Sequence, residues 1–262
     1  MKTIGFIGAG NVCWHLVKIF SEKGFDCQIF SRNPEKTKKN FADLSTSFTI
    51  FSIDDRALKN CDIVFITAGD SQIESIAKQN LSGYTGIVVH SSGATSMNVL
   101  SQFSQYAVVY PFQTFNMGMP LSATEFPVFI EANSEATRNT LQEWLEQIFT
   151  TVKHLDSESR KKLHISGVMA NNFVNALFNA ANQLVKEIDL PKETIKPLVQ
   201  ETMTKYFTDA SAWSHQTGPA KRRDYNTIGD HVNFLRVEQP SLEEIYSTLT
   251  RFILNNTEAS ND

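Results

Sequence analysis

Gly8 and Gly10 lie in the run Ile4-Gly5-Phe6-Ile7-Gly8-Ala9-Gly10-Asn11-Val12-Cys13, and their spacing suits them to hold a phosphate. An apolar run precedes them. The segment after them, Trp14-His15-Leu16-Val17-Lys18-Ile19-Phe20, reads as the body of a helix. Gly8 lets the chain turn sharply, and Gly10 leaves room for a pyrophosphate to approach the backbone. The free N–H groups at the helix start, at Asn11 and Val12, then face the anion with the helix dipole behind them. The third glycine of the usual G-x-G-x-x-G pattern is Cys13 here, a small residue where strand and helix must pack closely. The alternative is a glycine turn in an ordinary α/β protein. The order strand, turn, helix favours a dinucleotide site.

The end of the next strand selects the dinucleotide. Cys27-Gln28-Ile29-Phe30 runs into Ser31-Arg32-Asn33-Pro34. An NAD site places Asp or Glu near this point to hold the ribose 2′-hydroxyl. Ser31 stands there instead and can donate to a 2′-phosphate. Arg32 can pair with that phosphate through its planar fork and stack on adenine. These residues favour NADP over NAD. A solvated basic loop, with Lys36, Lys38 and Lys39, is the competing reading.

Open α/β sheets bind ligands at the carboxyl ends of their strands. Small and polar residues recur at those ends here: Thr67-Ala68, His90-Ser91-Ser92-Gly93, and Gln113-Thr114 after Tyr110-Pro111-Phe112. Thr67, Ala68, Ser91 and Ser92 are candidate cofactor contacts. Gln113 and Thr114 are candidate substrate contacts. His90 is a reserve proton donor, or a structural histidine that ties its loop to the sheet. Further along, His164, Asn171 and Asn175 are seven and four residues apart, which puts them on one face of a helix. Such a polar stripe needs partners when buried, and a substrate supplies them. His164 is the expected proton donor because imidazole titrates near neutral pH. Asn171 is expected to orient the reacting group, with Asn175 beside it. Arg222, in the turn Thr217-Gly218-Pro219-Ala220-Lys221-Arg222-Arg223-Asp224, is a candidate anion contact, and Asp224 a helix cap.

Those residues need a scaffold, and the order of elements supplies one. Strands are expected at Thr3–Ile7, Cys27–Ser31, Thr49–Phe51, Ile63–Thr67, Gly86–His90 and Ala107–Pro111. Alternating helices imply a doubly wound parallel sheet. A strand at Pro127–Glu131, a helix at Ser134–Ile148 and a short strand at Thr151–His154 follow. After Asp156 helical periodicity takes over: Ser157–Glu187 as one long helix, Pro191 toward Trp213, Tyr225–Arg236 and Ser241–Leu254. The expected organisation is α/β, with a dinucleotide-binding domain over 1–155 and an all-helical domain over 156–262. The polar tail from Asn255 is expected to fray.

The 262 residues carry a net charge of −4, with 41% hydrophobic and 20% charged side chains. That balance points away from nucleic acid and anionic membranes. Three cysteines without metal spacing fit a reducing cytoplasm, and no metal site is expected. The helical half has apolar residues on more than one face, including Met169, Phe173, Phe178, Phe207 and Trp213, which predicts a homodimer through that half.

Taken together, Ile7-Gly8-Ala9-Gly10-Asn11-Val12, His90-Ser91-Ser92-Gly93-Ala94, Tyr110-Pro111-Phe112-Gln113-Thr114-Phe115, Asn171-Asn172-Phe173 and Thr217-Gly218-Pro219 with Arg222 and Asp224 carry a family resemblance. The chain resembles Rossmann-like proteins with the helical domain of unknown function DUF2520. These are relatives of pyrroline-5-carboxylate reductase and the F420-dependent NADP oxidoreductases. The resemblance implies an NADP-binding Rossmann domain and a C-terminal domain of the 6-phosphogluconate-dehydrogenase type, and gives no substrate. The β-hydroxyacid dehydrogenases are more distantly similar. Their G-x-x-x-K-x-x-x-N helix corresponds to Gly167, Asn171 and Asn175, with Asn171 in place of the catalytic lysine. An amide cannot give a proton as an ammonium does, which argues against simple β-hydroxyacid oxidation. The leading expectation is hydride transfer between NADPH and a small C=O or C=N substrate bound between the domains. A non-catalytic NADP-binding sensor or scaffold is the alternative.

Overall fold

The computed structural model describes residues 2–121, 125–208 and 213–257. The chain begins β1 (Thr3–Ile7), α1 (Asn11–Glu22), β2 (Asp26–Ser31), α2 (Pro34–Asn40), β3 (Phe48–Ser52), β4 (Ile63–Ile66), α3 (Ile73–Asn80) and β5 (Ile87–His90). It continues β6 (Tyr106–Pro111), β7 (Val128–Ala132), α4 (Glu135–Leu145) and β8 (Val152–His154). The strands form one eight-stranded sheet in the order β3-β2-β1-β4-β5-β6-β7-β8. β1 is flanked by β2 on one side and β4 on the other, so the order reverses beside it. A crevice opens at the carboxyl end of such a switch point.

The sheet departs from the expected parallel arrangement at one place. β7 runs antiparallel to β6, with Val109 opposite Ile130. No helix spans the connection among its described residues, so the chain folds straight back, as antiparallel neighbours allow. β8 is again parallel to β7.

Successive residues of the central strands enter different cores. Ile4, Phe6, Ile29, Phe65 and Val89 pack with Trp14, Val17 and Phe20 of α1 and Trp144 of α4. Ile7, Phe30, Val64, Ile66 and Val88 pack on the opposite face with Ile73 and Ala77 of α3. Apolar residues on both faces are what a sheet covered by helices on both sides requires. Phe6 stacks on Phe65 at 5.5 Å, and Phe20 lies 5.3 Å from Trp144. Each such burial is worth about 1.5–3 kcal/mol, enough to hold α1 and its N-terminus firmly on the sheet.

Contacts divide the chain into two compact units, Met1–Asn172 and Phe173–Asp262. α5 (Ser157–Gly167) starts in the first. It continues through a π-helical segment, Val168–Phe173, into α6 (Val174–Glu187). The expected single helix over 157–187 is therefore interrupted by a wider turn. The second unit also holds α7 (Lys196–Thr208), α8 (Pro219–Arg222), α9 (Tyr225–Glu238) and α10 (Pro240–Asn256). The expected continuation of α7 toward Trp213 crosses 209–212, and the end of the polar tail is 258–262; both lie outside the described residues. Among the described residues of this unit, only Ala220, Leu235, Leu242, Thr250 and Thr257 are buried. No helix of the described residues is long and apolar enough to cross a membrane.

Candidate active site

The glycine turn follows directly from β1. Gly8 has φ +104, and a Cβ there would lie 2.7 Å from the backbone nitrogen of Ala68. Glycine is therefore required on two counts, conformation and space. Thr67, at the end of β4, donates its hydroxyl to the Gly8 carbonyl at 2.7 Å. Thr67 and Ala68 thus shape the turn. Gly10 precedes the first turn of α1 with open space on its side-chain position. No side chain caps that turn. Its leading N–H groups, which an α-helix cannot satisfy internally, are left for a ligand. Cys13 is fully buried beneath this turn, close to Thr67, and burial pushes its thiol far up. A small apolar residue suffices there.

Ser31 ends β2 with its oxygen doubly engaged. It accepts from the Asn33 N–H at 3.1 Å and from the Thr37 hydroxyl at 2.7 Å. With both lone pairs occupied, its own hydrogen is free to donate outward. Arg32 is exposed beside it. The Asn33 side chain accepts from the Lys36 N–H and caps α2, so its amide oxygen is used within the fold.

A cavity of about 420 Å³ lies within the first unit. Asn11 and Val12 form one side and Phe112 to Phe115 another. The third wall is His164, Gly167 and Val168 of α5 and the segment after it, with Ala170, Asn171 and Asn172. Two contacts fix the loop after β6 to α1. The Met117 N–H donates to Asn11 Oδ1 at 3.2 Å, and His15 Nε2 donates to the Asn116 carbonyl at 3.0 Å. Burial lowers the His15 pKa, which keeps the ring neutral. Gly167 gives room to the Phe112 ring, which lies 2.8 Å from where a Cβ would stand.

Tyr110 also lines the cavity, with its hydroxyl 3.1 Å from His164 Nδ1. Both rings pack on Gly93, where a Cβ would lie 2.6 Å from His164 Nδ1 and 2.8 Å from Tyr110 Cζ. Burial raises the phenol's pKa, the Arg160 charge opposing it and Asp70 adding to it. The phenol therefore keeps its proton. It donates to Nδ1 of a neutral imidazole, which leaves the ring hydrogen on Nε2; when the ring is protonated, Nδ1–H donates to the phenol oxygen.

Helix α5 is anchored by a buried ion pair. Arg160 is 1% exposed, bonds to the Glu131 carboxylate of β7, and donates to the Thr95 carbonyl at 2.6 Å. Ser157 donates to both Glu131 oxygens, at 2.8 and 2.9 Å. His164 stands one helical turn beyond Arg160.

The structure thus brings together Asn11, Val12, Gln113, Thr114, His164 and Asn171. His90, expected as the reserve proton donor, does not join them. It is fully buried, and its Nδ1 accepts from the Ser92 N–H at 3.2 Å. Burial, then the Arg160 charge, lower its pKa to about 4, against a weaker pull from the Ser96 carbonyl. The ring has no exposed surface, and its Nε2 is buried without a hydrogen-bond partner among the described residues. Ser92 is likewise engaged in its own turn: its oxygen accepts from the Ala94 and Thr95 N–H groups and its hydroxyl donates to Thr95 Oγ1. Ser91 is half-buried beside it. Asn175 belongs to the second unit, where its Oδ1 accepts from Asn179 at 3.0 Å. Arg222 is in that unit too, beside Asp224, which caps α9 through Thr227 at 3.1 Å. Tyr110, in the sequence only part of a strand-end run, and Arg160, not singled out there, adjoin His164 in the structure. A glycine at a strand end, here Gly93, can mark such a close approach of side chains.

A switch-point sheet with an uncapped glycine turn at the start of α1, whose Asn11 and Val12 line a cavity, is the arrangement of a dinucleotide-binding fold. The family model described as NADP oxidoreductase coenzyme F420-dependent matches residues 3–89, and that of the domain of unknown function DUF2520 matches residues 126–253. A Bacteroides fragilis protein provisionally named an NADP oxidoreductase is 30% identical, over 97% of this chain and 98% of its own, with a TM-score of 0.83. The chain belongs to this family of NADP oxidoreductases with a DUF2520 C-terminal domain. An imine reductase from Myxococcus stipitatus in complex with NADP+ shares the fold at 13% identity, covering 97% of this chain and 94% of its own, with a TM-score of 0.66. A pyrroline-5-carboxylate reductase from Streptococcus pyogenes does so at 12%, covering 97% and 98%, with a TM-score of 0.64. No curated protein matches the chain.

Proposed function

We propose that the protein uses NADPH to reduce a small C=O or C=N compound held between the loop after β6 and helix α5. One observation carries this reading: a single cavity is lined by Asn11 and Val12, the first residues after the glycine turn, the Tyr110–His164 pair and Asn171. When bound, NADPH supplies the hydride. The chain's part is binding, orientation and one proton. The uncapped N–H groups after Gly10 hold the pyrophosphate, and Ser31 and Arg32 hold the 2′-phosphate. Asn171 donates an amide N–H to the oxygen or nitrogen that gains charge. His164, as the imidazolium, gives that atom its Nε2 proton and is left as neutral imidazole, its Nδ1–H held throughout by the Tyr110 oxygen. The direct test is NADPH oxidation against a panel of ketones and imines. Oxidation with at least one member is expected; tight NADPH binding with none oxidised favours the sensor reading instead.

The cofactor choice has its own expected result. Loss of a charge-assisted bond costs about 1.5–3 kcal/mol, so Arg32→Ala should weaken NADPH by roughly tenfold or more and leave NADH nearly unchanged. Fluorescence titration of both cofactors checks this, and equal wild-type affinity for the two overturns it.

The helical unit is read as a homodimer contact. Leu198, Tyr206 and Phe207 of α7 are 70%, 71% and 79% exposed. Ile245, Leu249 and Phe252 form an exposed stripe on α10 at spacings of four and three. So much bare apolar surface in one unit marks an interaction face. Light scattering at micromolar concentration should give the dimer mass, and a monomer mass there overturns this reading.

A further inference from the structure

We propose that the cavity accepts a carbonyl or imine compound without a carboxylate, so that its substrate class is uncharged. This rests on reading the cavity as the substrate site. Its walls combine the Phe112 and Phe115 rings with the aliphatic side chains of Val12 and Val168. Its polar groups are the amides of Gln113 and Asn171, the Tyr110 and Thr114 hydroxyls and the His164 ring. Among the described residues that line it, none is Lys, Arg, Asp or Glu.

A carboxylate entering such a cavity meets no fixed cation among its described lining residues, His164 being charged only while it holds the proton that reduction consumes, and a buried charge is costly unless it is paired. The guanidinium one turn below His164 does not line the cavity, and the Glu131 carboxylate already pairs its charge. Within the first unit a further source of positive potential at the cavity is the N-terminus of α1, where the proposed pyrophosphate would sit. A bound dinucleotide also brings phosphates of like sign to a substrate carboxylate. Amides and hydroxyls, by contrast, satisfy a neutral polar group as both donors and acceptors. The walls therefore discriminate by charge more than by shape.

Pyroglutamamide and pyroglutamate test this directly. They are lactams of matched shape that differ in one charge, and neither is reduced. Binding to the NADP-loaded protein is measured by saturation-transfer NMR titration. The amide should bind at least about tenfold more tightly than the acid, a difference of about 1.4 kcal/mol. Gln113→Arg should move the preference toward the acid. Equal or tighter binding of pyroglutamate by the wild-type protein overturns the proposal while leaving the cavity as the substrate site. Val168→Trp, which fills the cavity, should abolish amide binding but not NADP binding. Amide binding that survives Val168→Trp, or binding of neither lactam, overturns the reading of the cavity and the proposal with it.

Discussion

His164→Ala is expected to lower kcat by about 10²-fold or more, the usual scale for acid–base assistance, with NADPH affinity unchanged. The geometry gives the reason. Tyr110 occupies Nδ1 from 3.1 Å, and Gly93 leaves both rings space to approach. Nε2 is then the ring atom available to a ligand in the cavity. Removing the imidazole takes away the proposed proton source without touching the glycine turn or Ser31 and Arg32, the proposed cofactor contacts. Tyr110→Phe should produce a smaller loss, because it removes the hydroxyl that holds Nδ1 while keeping the imidazole. Single-turnover NADPH oxidation, with a substrate found in the panel, separates these effects from product release. Normal turnover by His164→Ala would remove His164 from the mechanism. A matching fall in NADPH affinity would instead mean that the variant has disturbed the turn.

What the sequence made legible follows from the range of the interactions concerned. The glycine turn, Ser31 and each strand through β6 are written in runs of a few residues, where apolar patterning and turn chemistry act locally. The reversal at β7 is not written so. Val128–Ala132 has the same apolar character as its parallel neighbours, and direction depends on how the connection crosses the sheet end. The π turn at Val168–Phe173 is also invisible to a helical period. It places Asn171 and Asn172 together on the cavity wall, where regular spacing paired Asn171 with Asn175. His90 is another position where one sequence leaves two readings open. A histidine among serines at a strand end invites a catalytic reading, and the structure buries it completely and lowers its pKa. Only the three-dimensional surroundings distinguish it from His164. Tyr110 and Arg160 act through partners 54 and 29 residues away, a separation at which one sequence carries no pairing signal.

Arg160 is where the largest loss of stability is expected. Its side chain joins three elements: its own helix α5, Glu131 on β7, and the loop after β5 through the Thr95 carbonyl. Arg160→Met removes the cation and leaves the Glu131 carboxylate, 13% exposed, with Ser157 as its remaining partner. Breaking one side of a buried pair costs about 3–5 kcal/mol. At about 2–4 °C per kcal/mol for a unit of this size, the melting temperature should fall by roughly 6–20 °C. Arg160→Met combined with Glu131→Leu should recover most of that loss, because no charge is then left unpaired. Thermal unfolding of the wild type, both single variants and the double variant measures the coupling. If the single Arg160 variant melts within a degree or two of the wild type, the pair is not what fastens α5 to the sheet. If stability returns in the double variant but reduction does not, the pair also sets the position of His164, one turn further along the same helix.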